Sequence, residues 1–422
     1  MADQISGVSI TGLGFVTSIG NDKASVLDSL IHLRHGFEKV AFLENPLSVA
    51  GTIKGFDTRS EFFYKWVYPA GYDIPKLALR AFSPHVLYAA CALRQAIDDA
   101  RLDPARISGD DTGLFCASGG SPSLLRANLN EMHENRGLRG DPLGVVKSVC
   151  GTLNFNLGAM LGIRGANCGF VSACASSSHA IGYACDEIML GRHRRMLVVG
   201  AEEMTADNLL PFWAMRTLSG NPDPDTASRP FDRWRDGFVG TGGAVALVLE
   251  RTCEALARNA AIYADIAGWG QASDGYHVAI PHPEGSGLAT AMKRALGAAG
   301  IRAGQVDYIN AHATSTQIGD KAEALAIDTV FSAAGAFPAV SSTKALTGHA
   351  LSMAGAMEAA FCALSLKAGI IPGAAHLAKP DPCCERLNLP TETLRRPLEV
   401  AVSNSSGFGG SNVCLVFRNA KR

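Results

Sequence analysis

The chain has 422 residues, 47% of them hydrophobic and 18% charged, and a formal net charge of −1. That length admits two ordinary domains or one large α/β unit built from two halves, and the composition carries no signature of disorder. A near-neutral balance argues against a protein whose main business is nucleic acid, which would show a strong basic excess.

The eleven cysteines are scattered without metal-ligand spacing, which predicts a reducing compartment and mostly structural thiols. Met1 to Gln4 lead directly into the strand-like Val8 to Gly12, with no basic or apolar leader pattern. No apolar run is expected to reach the ~18 residues of a membrane span. A cytoplasmic enzyme is the expectation.

In chain order, Val8 to Gly14 reads as a strand ending in Gly-Leu-Gly, a tight turn bringing backbone close to a partner. No GxGxxG follows, so no dinucleotide site is read there. A helix is expected over 21–37, a surface excursion over 44–73, and a helix over Pro84 to Ala100 with Ser83 as its cap. Thr112 to Ser118 reads as a strand, 126–140 as a polar segment and 149–162 as a small-residue helix. The stretch from Cys168 to Ile181 is a short β-run that stops at Ala173-Cys174 and turns into a helix, with Ile181, Ala184 and Ile188 at helical spacing. Strands follow at Arg195 to Ala201 and Ala244 to Glu250.

Around Arg258 the pattern restarts. Ile262 to Gly270 ends in Gly-Trp-Gly, a helix is expected over 287–300 and a strand over 306–311. Pro338 to Ala350 repeats the build of the Cys174 stretch, and 399–403 with 412–417 echo the earlier strand pair. The chain reads as duplicated, with halves at 1–255 and 256–422. Alternating strands and helices predict mostly parallel sheets covered by helices.

Four stretches carry candidate chemistry. Cys174 sits where a helix begins, and unpaired N–H groups with the macrodipole there favour a thiolate; the alternative is a small buried residue. His312 ends a strand in a small and hydroxyl-rich turn, Lys344 and His349 flank a strand-to-helix turn, and 405–412 is a Gly-rich loop with one Phe. Each has a plain structural reading on its own. Zinc is disfavoured because no paired ligand motif is present. A hydrolase with one Cys and one His would leave the second His and the Lys unexplained. One Cys and two His suit acyl transfer to the thiol, followed by attack of a carbanion whose enolate oxygen the imidazoles stabilise.

The ordered blocks VSITGLG (8–14), SACASS (172–177) with His179, RPFD and RDGF (229–232, 235–238), HATSTQIGD (312–320) with Glu323, STKALTGH (342–349) and NSSGFGGSN (404–412) resemble the elongating β-ketoacyl-acyl carrier protein synthases of the thiolase superfamily. The resemblance runs over about 6–418. It implies a five-layer αβαβα sandwich of two similar halves, paired as a homodimer or with a related ketosynthase-like subunit. It implies Cys174 as the acylated nucleophile, His312 and His349 as the groups acting on malonyl thioester, and Lys344 as tuning their charge. It further implies Glu323 and Asp320 as supporting carboxylates, and Phe408 as a gate whose N–H joins that of Cys174 in an oxyanion hole. His179 becomes a packing or polar-network residue. Acyl groups would arrive on the phosphopantetheine of acyl carrier protein, with no metal and no other cofactor, and Lys76, Arg80, Arg136 and Arg139 lie in stretches resembling the carrier-docking face. Ala313, Gln317 and Ser406 depart from the usual Gly, Pro and Phe, and Ser406 is expected to open the pocket beside the malonyl site. A non-catalytic chain-length-factor subunit would lack the Cys, and a thiolase acting on CoA thioesters would place a second Cys near 405–412.

Overall fold

The computed structural model describes residues 7–420 apart from 42, 44–46, 61, 104 and 106. Ten strands form its central sheet: β1 (Val8–Val16), β2 (Thr112–Ala117), β3 (Asn167–Phe170), β4 (Arg195–Glu202), β5 (Gly243–Arg251), β6 (Ala264–Ser273), β7 (Tyr308–Asn310), β8 (Ala339–Ser341), β9 (Val400–Gly407) and β10 (Ser411–Arg418). From the join outward the first half runs β1-β5-β4-β2-β3 and the second runs β6-β10-β9-β7-β8, so each strand of the second half repeats the place of one in the first. The halves meet where Val8, Ser9 and Ile10 pair with Ile266, Asp265 and Ala264.

Strand direction departs from the expected parallel arrangement. The pairs around the join are antiparallel, and parallel pairing is confined to β2 with β3 and β4, and β7 with β8 and β9. The inner strands have both faces covered, so they read as continuous apolar runs whatever their direction. Along β5, Val245, Leu247 and Leu249 enter the central core while Ala244, Ala246 and Val248 enter an outer one, the period of two that a pleated strand imposes.

The helices that matter are α1 (Pro84–Asp99), α2 (Pro122–Glu134), α3 (Ser176–Met189), α4 (Ala206–Ala214), α5 (Ser286–Ala299), α6 (Gln317–Val330) and α7 (Ala354–Ala368). α1 covers one outer face, α5 and α6 the other, and α3 with α7 fill the middle between the two half-sheets. These are the five layers expected. The Gly-Leu-Gly of β1 and the Gly-Trp-Gly of β6 lie within strands rather than in turns. A Cβ on Gly14 would stand 1.8 Å from the Ala92 carbonyl oxygen, and one on Gly270 would stand 2.5 Å from that of Ala291. Each pair of glycines lets an outer helix lie close on its strand.

Other boundaries shift for local reasons. The first helix spans Lys23–His32, capped by Asp22 and stopped by Leu33 at φ 53. The polar segment at 126–140 is largely α2, begun by Ser121 accepting from the Leu124 N–H and by Pro122. The segment Leu351–Ala368 has the length and composition to cross a membrane, contrary to expectation, and 83% of it is buried inside the molecule. It contains α7, the central core helix.

Candidate active site

Three turns bring the chemistry together. Between β3 and α3 the chain reverses through Ala173, held at φ 50, a left-handed conformation costly for a residue with a Cβ. Ser176 Oγ secures the reversal by accepting from the Ser172 N–H at 2.8 Å and donating to the Ala173 carbonyl at 2.6 Å. Cys174 is thereby presented one residue before the helix cap, partly exposed to a cavity. Between β8 and α7 a single helical turn, Lys344–Thr347, is ended by Gly348 at φ 82, which releases His349 toward the same point. The helix starts lock together because the Ala356 N–H donates to Ser177 Oγ at 2.9 Å.

His349 Nε2 lies 3.0 Å from Cys174 Sγ. The His312 ring stands edge-on to that of His349, centroids 5.4 Å apart, and the sulfur and one nitrogen of each ring lie within 4.8 Å of one another. Burial pushes the Cys174 thiol up to about 12, while Lys344 pulls it down. The lowered thiol expected of a helix start is therefore not found in the free site, where burial outweighs it. Both imidazoles are held well below the usual histidine range, first by burial and then by the Lys344 charge. The rings are neutral near pH 7. The sulfur contact can run with the thiol donating to Nε2 or with Nε2–H donating to sulfur, and only the second supports a thiolate and later a neighbouring oxyanion.

The carboxylates act on backbone. Glu323 accepts from the His312 N–H at 3.0 Å, the Ala313 N–H at 2.6 Å and Asn404 Nδ2 at 3.1 Å. Asp320 accepts from the Phe231 and Ser315 N–H groups at 2.8 and 3.1 Å and lies 3.5 Å from the buried Arg235 guanidinium. Neither reaches the reacting atoms; together they fix the turn that carries His312. His179 joins Ser172 Oγ at 2.7 Å and Gln271 Oε1 at 2.9 Å, the polar network expected of it.

Phe408 stands over the site on the Gly-rich loop, its ring 6.0 Å from that of Phe212. A Cβ on Gly407 would come within 3.1 Å of the Cys174 nitrogen, so the loop abuts the N–H at the head of α3. Ser406 Oγ donates to Asn412 Oδ1 at 2.7 Å, and Asn412 Nδ2 donates to Asp274 Oδ1 at 2.8 Å. These groups help wall a cavity of about 490 Å³ whose lining also includes Cys174, His312, His349, Thr314, Thr316 and Ile280.

Lys76 and Arg80 are exposed around a short helix, Lys76–Leu79, and Arg136 and Arg139 are exposed just beyond α2. Arg80 is near enough to Asp141 to help lower its carboxyl, so the two stretches share one face. Arg126 of α2 pairs with Asp207 at the start of α4, and α4 carries Phe212 of the cavity wall. Sequence reasoning missed Glu358, the buried partner of the buried Lys344. Burial pushes the Glu358 carboxyl up to about 7, against the Lys344 charge. An acid inside the mostly small and apolar α7, whose other charge, Lys367, lies in its last turn, was the available signal, since such a group must find a partner.

The beta-ketoacyl synthase N-terminal domain family matches residues 6–255 and its C-terminal domain family matches 263–378. The chain belongs to the beta-ketoacyl synthases. It is 38% identical over 417 residues, 97% of this chain and 98% of the relative, to 3-oxoacyl-[acyl-carrier-protein] synthase 1 of Haemophilus influenzae. A crystal structure of a beta-ketoacyl synthase from Burkholderia phymatum superposes with a TM-score of 0.90 at 32% identity, covering 99% of this chain and 100% of that one. The AntDE:AntF structure, a type II PKS acyl-carrier protein in complex with its ketosynthase, gives 0.85 at 25% identity, covering 99% and 100%.

Proposed function

We propose that this beta-ketoacyl synthase is a 3-oxoacyl-acyl carrier protein synthase, an acyltransferase that lengthens a fatty acyl, polyketide or polyene-type chain by decarboxylative condensation. The observation that carries the reading is the Cys174–His349 contact of 3.0 Å with His312 beside it, all three lining one cavity. Cys174 sulfur attacks an acyl thioester on the carrier's phosphopantetheine, the C–S bond to the carrier breaks, and the carrier thiol leaves with the proton. Malonyl-carrier thioester then enters and loses CO₂, and its enolate carbon attacks the acyl-Cys174 carbonyl. The bond to Cys174 breaks, the 3-oxoacyl product leaves two carbons longer, and the sulfur takes up one proton.

Neutral His312 and His349 are suited to donate N–H groups to the enolate oxygen, while the N–H groups of Cys174 and Phe408 would receive the thioester oxygen. Burial, with the Lys344 charge second, keeps the rings neutral, so they act as donors rather than acids. No step calls on a metal or an organic cofactor. A chain-length-factor role is not favoured, because the nucleophile and both histidines are present together.

Acyl carrier protein is the partner this chemistry requires, with Lys76, Arg80, Arg136 and Arg139 as its docking charges; carriers are acidic, and surface complementarity speeds encounter. A homodimer, or a heterodimer with a ketosynthase-like subunit, fits the free edge of β3, where Asn167 to Gly169 are exposed and Val171 is 71% exposed. A cytoplasmic location accords with eleven unpaired thiols. The test is mass spectrometry of the purified enzyme offered acyl-carrier proteins of varied length and unsaturation. An acyl adduct on Cys174 is expected, absent in Cys174→Ala, and condensation at the wild-type rate by Cys174→Ala would overturn the assignment.

A further inference from the structure

Two adjacent thiols take no part in the chemistry described so far. Cys383 and Cys384 lie in a single short helical turn, Pro382–Cys384, with their Sγ atoms 3.6 Å apart. Cys384 is buried and Cys383 is partly exposed. Contact with Cys384 holds the Cys383 thiol below the ordinary cysteine range, while the same contact and burial push Cys384 up. An accessible thiol that ionises readily, with a second thiol in reach, is the arrangement in which oxidation stops at a disulfide.

The turn that holds them is tied to the active site. Asp381 Oδ1 accepts from the Cys383 N–H at 3.0 Å, and Asp381 Oδ2 accepts from Arg235 Nη1 at 2.7 Å. Arg235, itself 2% exposed, donates through Nε to the Thr316 carbonyl at 3.0 Å and through Nη2 to that of Gln317 at 2.8 Å. Thr316 and Gln317 close the turn that carries His312. Hydrogen bonds therefore run unbroken from the Cys383 backbone through Asp381 and Arg235 to that turn.

Adjacent Cα atoms stand about 3.8 Å apart across a trans peptide, shorter than the roughly 4.4–6.8 Å of most disulfides. A bond between these sulfurs has to bend the turn, and strained disulfides are the readily reduced ones. We propose that Cys383 and Cys384 form a reversible oxidation site, closed by hydrogen peroxide and opened by a dithiol, whose closure loosens the Arg235 hold on the His312 turn. The Cys383 thiolate attacks the peroxide, the O–O bond breaks, and the departing hydroxide takes up the proton that Cys383 gave up. Cys384 sulfur then attacks the sulfenic acid, the S–S bond forms, the S–O bond breaks, and hydroxide leaves as water with the Cys384 proton. One peroxide is reduced to two waters while two thiols are oxidised to one disulfide. The effect on turnover rests on the condensing reading above; the oxidation does not.

The experiment treats the Cys174→Gln enzyme with hydrogen peroxide, so that the nucleophile itself cannot be oxidised, then alkylates free thiols and maps peptides by mass. The peptide holding Cys383 and Cys384 is expected to lose two hydrogens and resist alkylation, and dithiothreitol should restore both thiols. Release of CO₂ from malonyl-carrier protein should fall by about tenfold or more and return on reduction, since misplacing a reacting group by about 1 Å can cost 10²-fold. Adding Cys383→Ser should leave CO₂ release unchanged before peroxide and protect it afterwards. The proposal is overturned if both thiols stay open to alkylation, if Cys383 goes on to sulfinate while Cys384 stays reduced, or if the disulfide forms and CO₂ release holds. Untreated Cys174→Gln enzyme that releases no CO₂ would instead overturn the condensing reading, and the peptide masses would still decide the oxidation.

Discussion

The turn after β3 and the turn after β8 occupy equivalent places in the two halves, yet they are built for different work. The first is short and sits on an exposed edge strand, Asn167 to Gly169, and it reaches its helix by forcing Ala173 to φ 50. The second leaves a fully buried strand, adds one helical turn, and passes its left-handed position to Gly348 at φ 82. Brevity yields a single group, Cys174, at the head of a helix. The extra turn yields two, Lys344 and His349, with room for Glu358 beneath. Duplication supplied two converging strand ends, and the difference in turn length divided nucleophile from charge control.

The largest effects should come from emptying the two turns in turn. Cys174→Gln keeps the second turn and removes the first turn's nucleophile; it is expected to release CO₂ from malonyl-carrier protein while forming no condensation product. His312→Ala or His349→Ala should lower condensation by about 10³-fold or more, roughly 4 kcal/mol, while acyl loading of Cys174 falls much less. Equal losses in single-turnover acylation and in condensation would break the division of labour.

Next in size is the pair under the second turn. Glu358→Gln leaves the buried Lys344 charge without its anion, and removing one partner of a buried pair costs about 3–5 kcal/mol, to be read from chemical denaturation. The burial of both side chains, at 1% and 0% exposed, justifies the full range. A loss under 1 kcal/mol would mean that Glu358, which burial pushes up to about 7, is already protonated in the folded enzyme and gives Lys344 no anion to lose.

The pH dependence of Cys174 then shows which turn governs the thiol. Burial pushes it up to about 12, and Lys344 is the first of the groups that pull it down. The sign follows directly: the thiolate is the minor form throughout pH 7–10, so carbamidomethylation should rise about tenfold per pH unit with no plateau. Lys344→Met removes the favourable charge and should slow the reaction at every pH. A plateau below pH 9 would show that the head of α3, not the Lys344 turn, sets the thiol.

Much of this site was legible because its groups fall in short contiguous blocks. Cys174, His312, Lys344, His349 and Phe408 each lie at a strand end where the turn itself can be read. Glu358 was not, because its role depends on a contact 14 residues away across a buried pair. Strand direction was not either, since the runs in β5 and β4 are apolar on both faces and periodicity carries no direction. The glycines of β1 and β6 were read as turns because a glycine that admits a close helix looks the same in one dimension as one that bends the chain.

The smallest effect tests the backbone cost of the short turn. Ala173→Gly relieves a Cβ at φ 50 and should stabilise the enzyme by at most about 1 kcal/mol, because glycine also loses more entropy on folding. Gly348→Ala is the mirror experiment. There a Cβ would stand 2.8 Å from the Val239 carbonyl oxygen, at φ 82 and ψ 179, a region open essentially to glycine alone. It should cost about 1–3 kcal/mol. If Ala173→Gly raised the midpoint of denaturation while slowing acylation, the strain at Ala173 would be tied to the aim of the Cys174 thiol. If stability and acylation both stayed level, the left-handed position would be no more than the shortest way from β3 into α3, and the two turns would differ in length alone.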